Sequence, residues 1–305
     1  MKKVLLTGAS GFVGRQCLSA LASRGFKIDG VWSAHQINTP SDVKIEWHRA
    51  DLLDSRHVTE LMKRIEPTHL LHAAWYAVPG KYWDAAENYQ WVDASRHLLQ
   101  TFARFGGQRA VGVGSCAEYD WSYGHHEETS TPLAPATTYG NCKLETGKFF
   151  EAFGLQQGLP TAWGRLFFLY GPHEDQTRLV ASVVTALLGD NLALCSAGHQ
   201  IRDFLHVEDA ASALVALLDS EVTGPVNIAS GKGASVRDLV TEIARQLAKP
   251  ELLRLGALPL RSGEPEQLVA DVRRLHDEVR WSPRFDLSAG VKATIEWWRQ
   301  QLGKS

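Results

Sequence analysis

Tyr139-Gly140-Asn141-Cys142-Lys143 sets a phenol and an ammonium four residues apart, which on a helix is one face and about one turn. An ammonium beside a phenol favours the phenolate, lowering a pKa whose reference is about 10 and making Tyr139 an acid/base usable near neutrality. On an exposed helix the same spacing carries no chemistry, so the pair acquires meaning only from other residues.

Leu5-Leu6-Thr7-Gly8-Ala9-Ser10-Gly11-Phe12-Val13-Gly14 places three glycines between an apolar run and an amphipathic one. Gly8 can make a tight turn, Gly11 can let backbone approach a pyrophosphate, and Gly14 can let a helix pack close to a sheet. Ser10, Phe12 and Val13 complete the loop, whose free N–H groups at the positive helix end suit a diphosphate. The spacing is GxxGxxG, one residue longer than the GxGxxG of many dehydrogenases. An acidic residue ending the second strand would bind the ribose 2′-OH of NAD and repel the 2′-phosphate of NADP. Here Gly30-Val31-Trp32-Ser33-Ala34-His35 carries no carboxylate at the tip, and Asp29 lies early in the strand. Ser33 and His35 leave room for a phosphate, so of the two NAD(P) forms NADP(H) is preferred. His125-His126-Glu127-Glu128 resembles a metal cluster, but adjacent residues rarely converge on one ion; a solvated loop is the reading, and no metal is expected.

The elements that must position these groups alternate. Lys3–Leu6, Phe26–Trp32, Val43–Trp47, His69–Ala74, Ala110–Gly114 and Ala162–Leu169 read as strands. Phe12–Arg24, Val58–Ile65, Trp91–Phe105 and Tyr139–Phe153 read as helices between them. That alternation predicts an α/β fold with a doubly wound parallel sheet. Beyond Tyr170-Gly171-Pro172 the pattern loosens into helices at Leu179–Leu188, Val236–Leu247 and Ser288–Leu302, with short strands at Phe204–Val207 and Val226–Ile228. The expected division is residues 1–172 for dinucleotide binding, its sheet completed by parts of 200–229, and 173–305 as a smaller interleaved substrate-binding domain.

Composition excludes several classes. With 305 residues the chain can bury a full core, and 44% hydrophobic and 22% charged residues are ordinary for a globular protein. A net charge of −2, from 32 basic and 34 acidic side chains, gives no electrostatic reason for a nucleic acid or an anionic membrane as partner. The apolar start Val4-Leu5-Leu6 is far shorter than the ~7–15 residues of a secretory core or the ~20 of a membrane span. Four cysteines without CxxC or zinc spacing fit a reduced, cytoplasmic protein.

Three further stretches give the chain a resemblance to the extended short-chain dehydrogenase/reductase family, the nucleotide-sugar epimerases, dehydratases and ketoreductases. Val113-Gly114-Ser115-Cys116-Ala117-Glu118-Tyr119 is similar to the family's serine/threonine segment, with the hydroxyl four residues before a tyrosine. Arg202-Asp203-Phe204-Leu205-His206-Val207-Glu208-Asp209 resembles its RDF-x-HV-x-D segment, and Arg261-Ser262-Gly263-Glu264 followed by Ala270-Asp271 its late R-x-G-D/E…AD stretch. The resemblance implies a Rossmann fold and assigns roles. Tyr139 exchanges the proton at the sugar oxygen and Ser115 hydrogen-bonds that oxygen. Lys143 binds the nicotinamide ribose and depresses the tyrosine pKa. Asp51 and Leu52 lie at the adenine, and Ala73 and Ala74 beside the cofactor. Arg202 and Arg261 clamp the substrate diphosphate, a role that suits paired guanidinium donors; Arg178 and Cys116 join the substrate contacts. The helices Trp91–Phe105 and Tyr139–Phe153 correspond to those through which many members form homodimers.

Departures narrow the activity. The Asp-Glu pair of the family's dehydratases is Cys116-Ala117 here, which disfavours a 4,6-dehydratase. The usual asparagines stand as Phe168 and Trp91, and Trp75, Tyr76, Tyr82 and Trp83 either line the sugar or base pocket or pack a loop. The expected function is an NAD(P)-dependent 4-ketoreductase of a 4-keto-6-deoxy nucleotide sugar. The alternatives are a 4-epimerase with tightly bound NAD and a non-catalytic NAD(P)-binding protein.

Overall fold

The computed structural model describes residues 2–33, 37, 43–260 and 263–303. In chain order the first half contains β1 (Lys3–Thr7), α1 (Gly14–Ser23), β2 (Lys27–Trp32), β3 (Ile45–Arg49), α2 (Ser55–Ile65) and β4 (His69–His72). There follow α3 (Glu87–Arg104), β5 (Arg109–Ser115), β6 (His125–His126), α4 (Thr138–Gln157), β7 (Thr161–Leu166) and β8 (Phe168–Tyr170). The remainder holds α5 (Leu179–Leu188), β9 (Ala193–Leu194), β10 (Ile201–His206), α6 (Val207–Leu218), β11 (Gly224–Ile228) and β12 (Gly233–Ser235). Last come α7 (Val236–Gln246), β13 (Leu253–Arg254), β14 (Gln267–Ala270) and α8 (Leu287–Gln301).

Seven strands lie side by side in the order β11-β7-β5-β4-β1-β2-β3, every neighbouring pair parallel. Strand order reverses at β1, and the crevice beyond the strand ends at such a reversal is where open α/β sheets take ligands. Successive strand residues face opposite sides, and both sides are apolar. Val4, Leu6, Leu71 and Val111 pack with α1 and α6, whereas Leu5, Leu70 and Ala110 pack with α2, α3 and α4. Burial on both faces is why these strands read as unbroken apolar runs.

A second core gathers Val184 of α5, Leu239 of α7 and Ile295 of α8. Beside it runs a smaller sheet, β12-β10-β14-β6, with β8 paired to β10. Among the described residues no helix is long and apolar enough to cross a membrane.

Several boundaries differ from the sequence reading. The expected strand Ala162–Leu169 is two: β7 stays in the large sheet, and β8 leaves it to pair with Phe204–His206 of β10. The expected strand Phe204–Val207 ends at His206, and Val207 opens α6, a helix the sequence pattern missed. Ten of its twelve residues are buried, so it lacks the polar face on which a helical period is recognised. The expected strand His69–Ala74 ends at His72, where the chain turns beneath Gly8.

Candidate active site

The loop from β1 to α1 is built for a close approach. Gly8 takes φ +67, with Ala73 and Ala74 so near that an added Cβ would lie 2.8 Å from their backbone, and one at Gly14 would collide with the Gly8 carbonyl. The Gly11 N–H donates to the Gly8 carbonyl at 2.9 Å. No side chain caps the start of α1; the Arg15 and Gln16 N–H groups donate to the Gly11 and Val13 carbonyls at 3.1 Å, so a ligand would meet the N–H groups of the loop just before them. Ser10, Phe12 and Val13 are half-exposed around this opening. A dinucleotide fits this donor set, backbone amides at a helix start, with the Arg15 guanidinium beside them on the Ser10 carbonyl at 2.7 Å.

Around the opening, the Thr7 hydroxyl bonds both His72 Nδ1 at 2.7 Å and the Ala74 N–H at 3.3 Å, and His72 Nε2 bonds Ser95 Oγ at 2.8 Å. Ala73 and Ala74 are thereby fixed beside Gly8. Asp51 is exposed and accepts from the Leu53 N–H at 3.0 Å, while the Leu52 side chain is buried. Leu52 therefore offers a ligand its main chain only. Ser33 is exposed at the end of β2, and His35 lies outside the described residues. Asp29 is 2% exposed and accepts from His48 Nε2 at 2.7 Å. Asp29, Glu46 and His48 are near enough to bracket an ion. However, His48 Nδ1 accepts from Arg64 Nη2 at 3.3 Å, so Nε2 carries the proton toward Asp29 and has no lone pair for a metal.

α4 brings the proposed reacting groups to the end of β5. Thr137 caps this helix by accepting from the Gly140 N–H at 3.1 Å, and Gly158 ends it in the left-handed region. The Tyr139 phenol is hydrogen-bonded to Ser115, the last residue of β5. Burial, with Tyr82 beside it, pushes the Tyr139 pKa above its ordinary value, against the pull of the Ser115 hydrogen bond. The net direction is opposite to the depression expected from Lys143, because burial dominates. Lys143 is itself only 4% exposed, its Nζ donates to the Val113 carbonyl at 2.8 Å, and it lies 5.9 Å from the Tyr139 ring centre. Burial lowers Lys143 to about 7, against the influence of Glu118.

Aromatic rings surround the pair. Trp75 lies 3.8 Å, centroid to Nζ, from Lys143, and its Nε1 donates to Asn88 Oδ1 at 2.8 Å. Tyr82 and Trp83 stand edge-on to Tyr139 at 4.8 and 5.8 Å, and Trp121 continues the wall 6.1 Å from Trp83. Tyr76 is half-exposed one residue after Trp75. The sequence reading left Trp75, Tyr82 and Trp83 open between pocket and packing; all three lie at the Tyr139–Lys143 pair.

Cys116 is buried against Ser115, its thiol pushed up to about 12 by burial first and Glu118 second. It is a neutral thiol there, not a nucleophile. Arg202, expected on a diphosphate, is 3% exposed, with Nη1 on the Ile201 carbonyl at 2.8 Å and Nη2 on Glu264 at 2.9 Å. In this state two of its N–H groups are bonded within the chain, and the guanidinium lies over the Phe168 ring. Arg178 is half-exposed at the start of α5, and Arg261 lies outside the described residues. The four residues from His125 diverge: His126 reaches the Val269 carbonyl, Glu127 reaches Ser130 and Arg273, and Glu128 reaches the Asn227 N–H. Two residues that sequence reasoning left without a role, Glu118 and Arg165, form a fully buried ion pair at 2.7 Å directly behind Ser115.

Known proteins place this geometry. A UDP-glucose 4-epimerase of Rhizobium meliloti is 24% identical over 328 residues, covering 96% of each chain. A solved UDP-N-acetylglucosamine 4-epimerase from Methanobrevibacter ruminantium, in complex with UDP-N-acetylmuramic acid, superposes with TM-score 0.88 at 24% identity over 98% of this chain and 99% of its own. A Thermus thermophilus UDP-glucose 4-epimerase complex with NAD gives 0.86 at 22% identity, over 97% and 99%. A sequence model described as the NAD dependent epimerase/dehydratase family matches residues 4–229, and the chain belongs to that family of enzymes.

Proposed function

We propose that this chain is a 4-ketoreductase of a 4-keto-6-deoxy nucleotide sugar, with Tyr139 as the acid. The observation that carries this reading is the state of the phenol. Tyr139, with an ordinary value of about 10 that burial moves further up, is protonated at neutral pH while its hydroxyl meets Ser115, the form needed to give a proton to a carbonyl oxygen as it gains negative charge. The bound dinucleotide would supply the hydride. Ser115 orients the carbonyl oxygen, Tyr139 protonates it, and Lys143 holds the ribose beside the Trp75 ring. Gly8, Ser10, Gly11, Phe12, Val13 and Gly14 would hold the diphosphate. Cys116 and Ala117 leave no acid/base pair for dehydration. Asp29, turned to His48, leaves the tip of β2 without a carboxylate, which favours NADP(H).

Arg178 and Arg202 would meet the substrate diphosphate, Arg202 by exchanging Glu264 for phosphate oxygens. We assign sugar handling to the region beyond residue 172. We also infer a cytoplasmic homodimer through α3 and α4, in keeping with four free buried cysteines; size-exclusion chromatography with light scattering tests the oligomer. The central test is incubation with NADPH, then NADH, and a panel of 4-keto-6-deoxy nucleotide sugars. Oxidation of the reduced cofactor is expected with at least one, and none with any of them would defeat the proposal. A second reading, a 4-epimerase, is favoured by relatives such as the dTDP-L-rhamnose 4-epimerase of Burkholderia thailandensis, 25% identical. It predicts protein purified with stoichiometric NAD and no net turnover of added cofactor.

A further inference from the structure

Glu118 is fully buried in the turn Cys116–Glu118 that follows β5. Its Oε1 accepts from the Ser115 N–H at 2.8 Å and from Trp163 Nε1 at 2.9 Å, and its Oε2 accepts from Arg165 Nε at 2.7 Å. The Ser115 hydroxyl accepts in return from the Ala117 N–H at 3.2 Å, a reciprocal cap that fixes the serine's main chain. Behind the carboxylate, Arg165 donates to the Tyr119 hydroxyl at 2.9 Å, and that hydroxyl donates to Asn227 Oδ1 at 2.8 Å. The approach demands Gly114, where an added Cβ would strike Trp163 and sit 2.5 Å from the carboxylate.

Buried ion pairs are seldom the best device for stability, since apolar residues of similar volume often do as well. This one stands where charge has a further use. Lys143 meets neutral groups at contact: the Val113 carbonyl and the faces of Trp75 and Trp163. The titratable groups near it are His72 from β4, Tyr139 on its own helix and Glu118 from the turn after β5, which accepts from Nε1 of the same Trp163 ring that lies 5.8 Å, centroid to Nζ, from Lys143. His72 is held neutral, pushed down to about 3 by burial and then by Lys143. Glu118 remains as the anion.

We propose that Glu118 is a positioning residue for the reacting set, fixing Ser115 through its main chain and supplying the negative charge that keeps Lys143 an ammonium. The proposal rests on the reading of Ser115, Tyr139 and Lys143 as that set. Its direction agrees with the opposing influences on Lys143, which burial lowers and Glu118 raises.

The test compares pH profiles of kcat/KM for the wild type, Glu118→Gln and Arg165→Gln. Both substitutions break the same ion pair and weaken the fold alike. Glu118→Gln is expected to move the alkaline limb about one pH unit toward acid, whereas Arg165→Gln, leaving Glu118 uncompensated, moves it toward base. A merely structural pair would move both profiles the same way or neither, and either result overturns the proposal. Should Glu118→Gln not fold, Glu118→Asp keeps the charge and shortens the reach: kcat falls about tenfold with the limb unmoved, and a moved limb is the overturning result. Dinucleotide binding, read by tryptophan quenching, separates the two readings. Wild type that binds no dinucleotide removes the reacting set itself, whereas binding and turnover with an unshifted Glu118→Gln profile removes only the role of Glu118.

Discussion

Tyr139 begins with its proton on, and that fixes what its loss should do. Tyr139→Phe keeps the ring among Tyr82 and Trp83 and removes the acid. We expect kcat to fall about 10²–10⁴-fold with dinucleotide affinity nearly unchanged, and unchanged turnover would take the phenol out of the reaction. Lys143 carries a second prediction. Its folded pKa, about 7, lies below its ordinary 10.5 because of burial. Between those values the unfolded chain binds more protons, so stability rises with pH across that window. Lys143→Met should therefore raise the melting temperature near pH 6–7, with the difference from wild type closing toward pH 10. A constant difference across that range would contradict it. Tyr139 and Lys143 stand out in the sequence by side-chain type and spacing, Ser115 only through the family resemblance, and the fold brings the three together at the end of β5. Their surroundings were not legible there. Trp75 meets Lys143, 68 positions away, and Glu118 pairs with Arg165, 47 positions away, and the burial that raises Tyr139 depends on the assembled fold.

Elements present these residues, and their ends were written more plainly than their interiors. Asp54, Thr137 and Asp286 each accept a backbone N–H at a helix start, within a few residues of the starts read from the apolar pattern. Thr137→Ala should cost about 1 kcal/mol of stability, measured by denaturant unfolding, and should loosen the first turn that carries Tyr139. Gly14→Ala probes the other end of the site. Its new methyl would meet the Gly8 carbonyl, so α1 must shift from β1 and dinucleotide binding should be lost even where the chain still folds. Retention of wild-type affinity would show that the loop has no such role. α6 marks the limit of pattern reading, because a helix buried on nearly every side carries no polar stripe. The late strands β8 and β10 were blurred for a related reason: their pairing joins Phe168 to Phe204, a relation no local period encodes.

At the scale of the molecule, buried histidines set an acid limit. His72 and His206 are pushed down to about 3 and about 4, mainly by burial, and both lie inside the packed chain. Unfolded, they protonate near 6.5, so the unfolded chain takes up more protons and stability falls as pH drops from about 6.5 toward 4. His206→Leu, at a ring whose nitrogens have no hydrogen bond, should flatten part of that loss in melting temperature measured between pH 7 and 4. The parallel sheet itself was legible from alternating segments, and parts of 200–229 were expected to complete it, but which strand they would join was not written in local pattern. β11 pairs with β7 although more than fifty residues, including β8, β10 and α6, intervene. The consequence is one of manufacture. A gene cut after residue 172 would release a fragment whose strand Thr161–Leu166 ends in a raw ladder of donors and acceptors, stripped also of the helix that roofs it. Such an edge recruits other chains, so the severed piece should precipitate or oligomerise, and the two halves should recover solubility only when synthesised together.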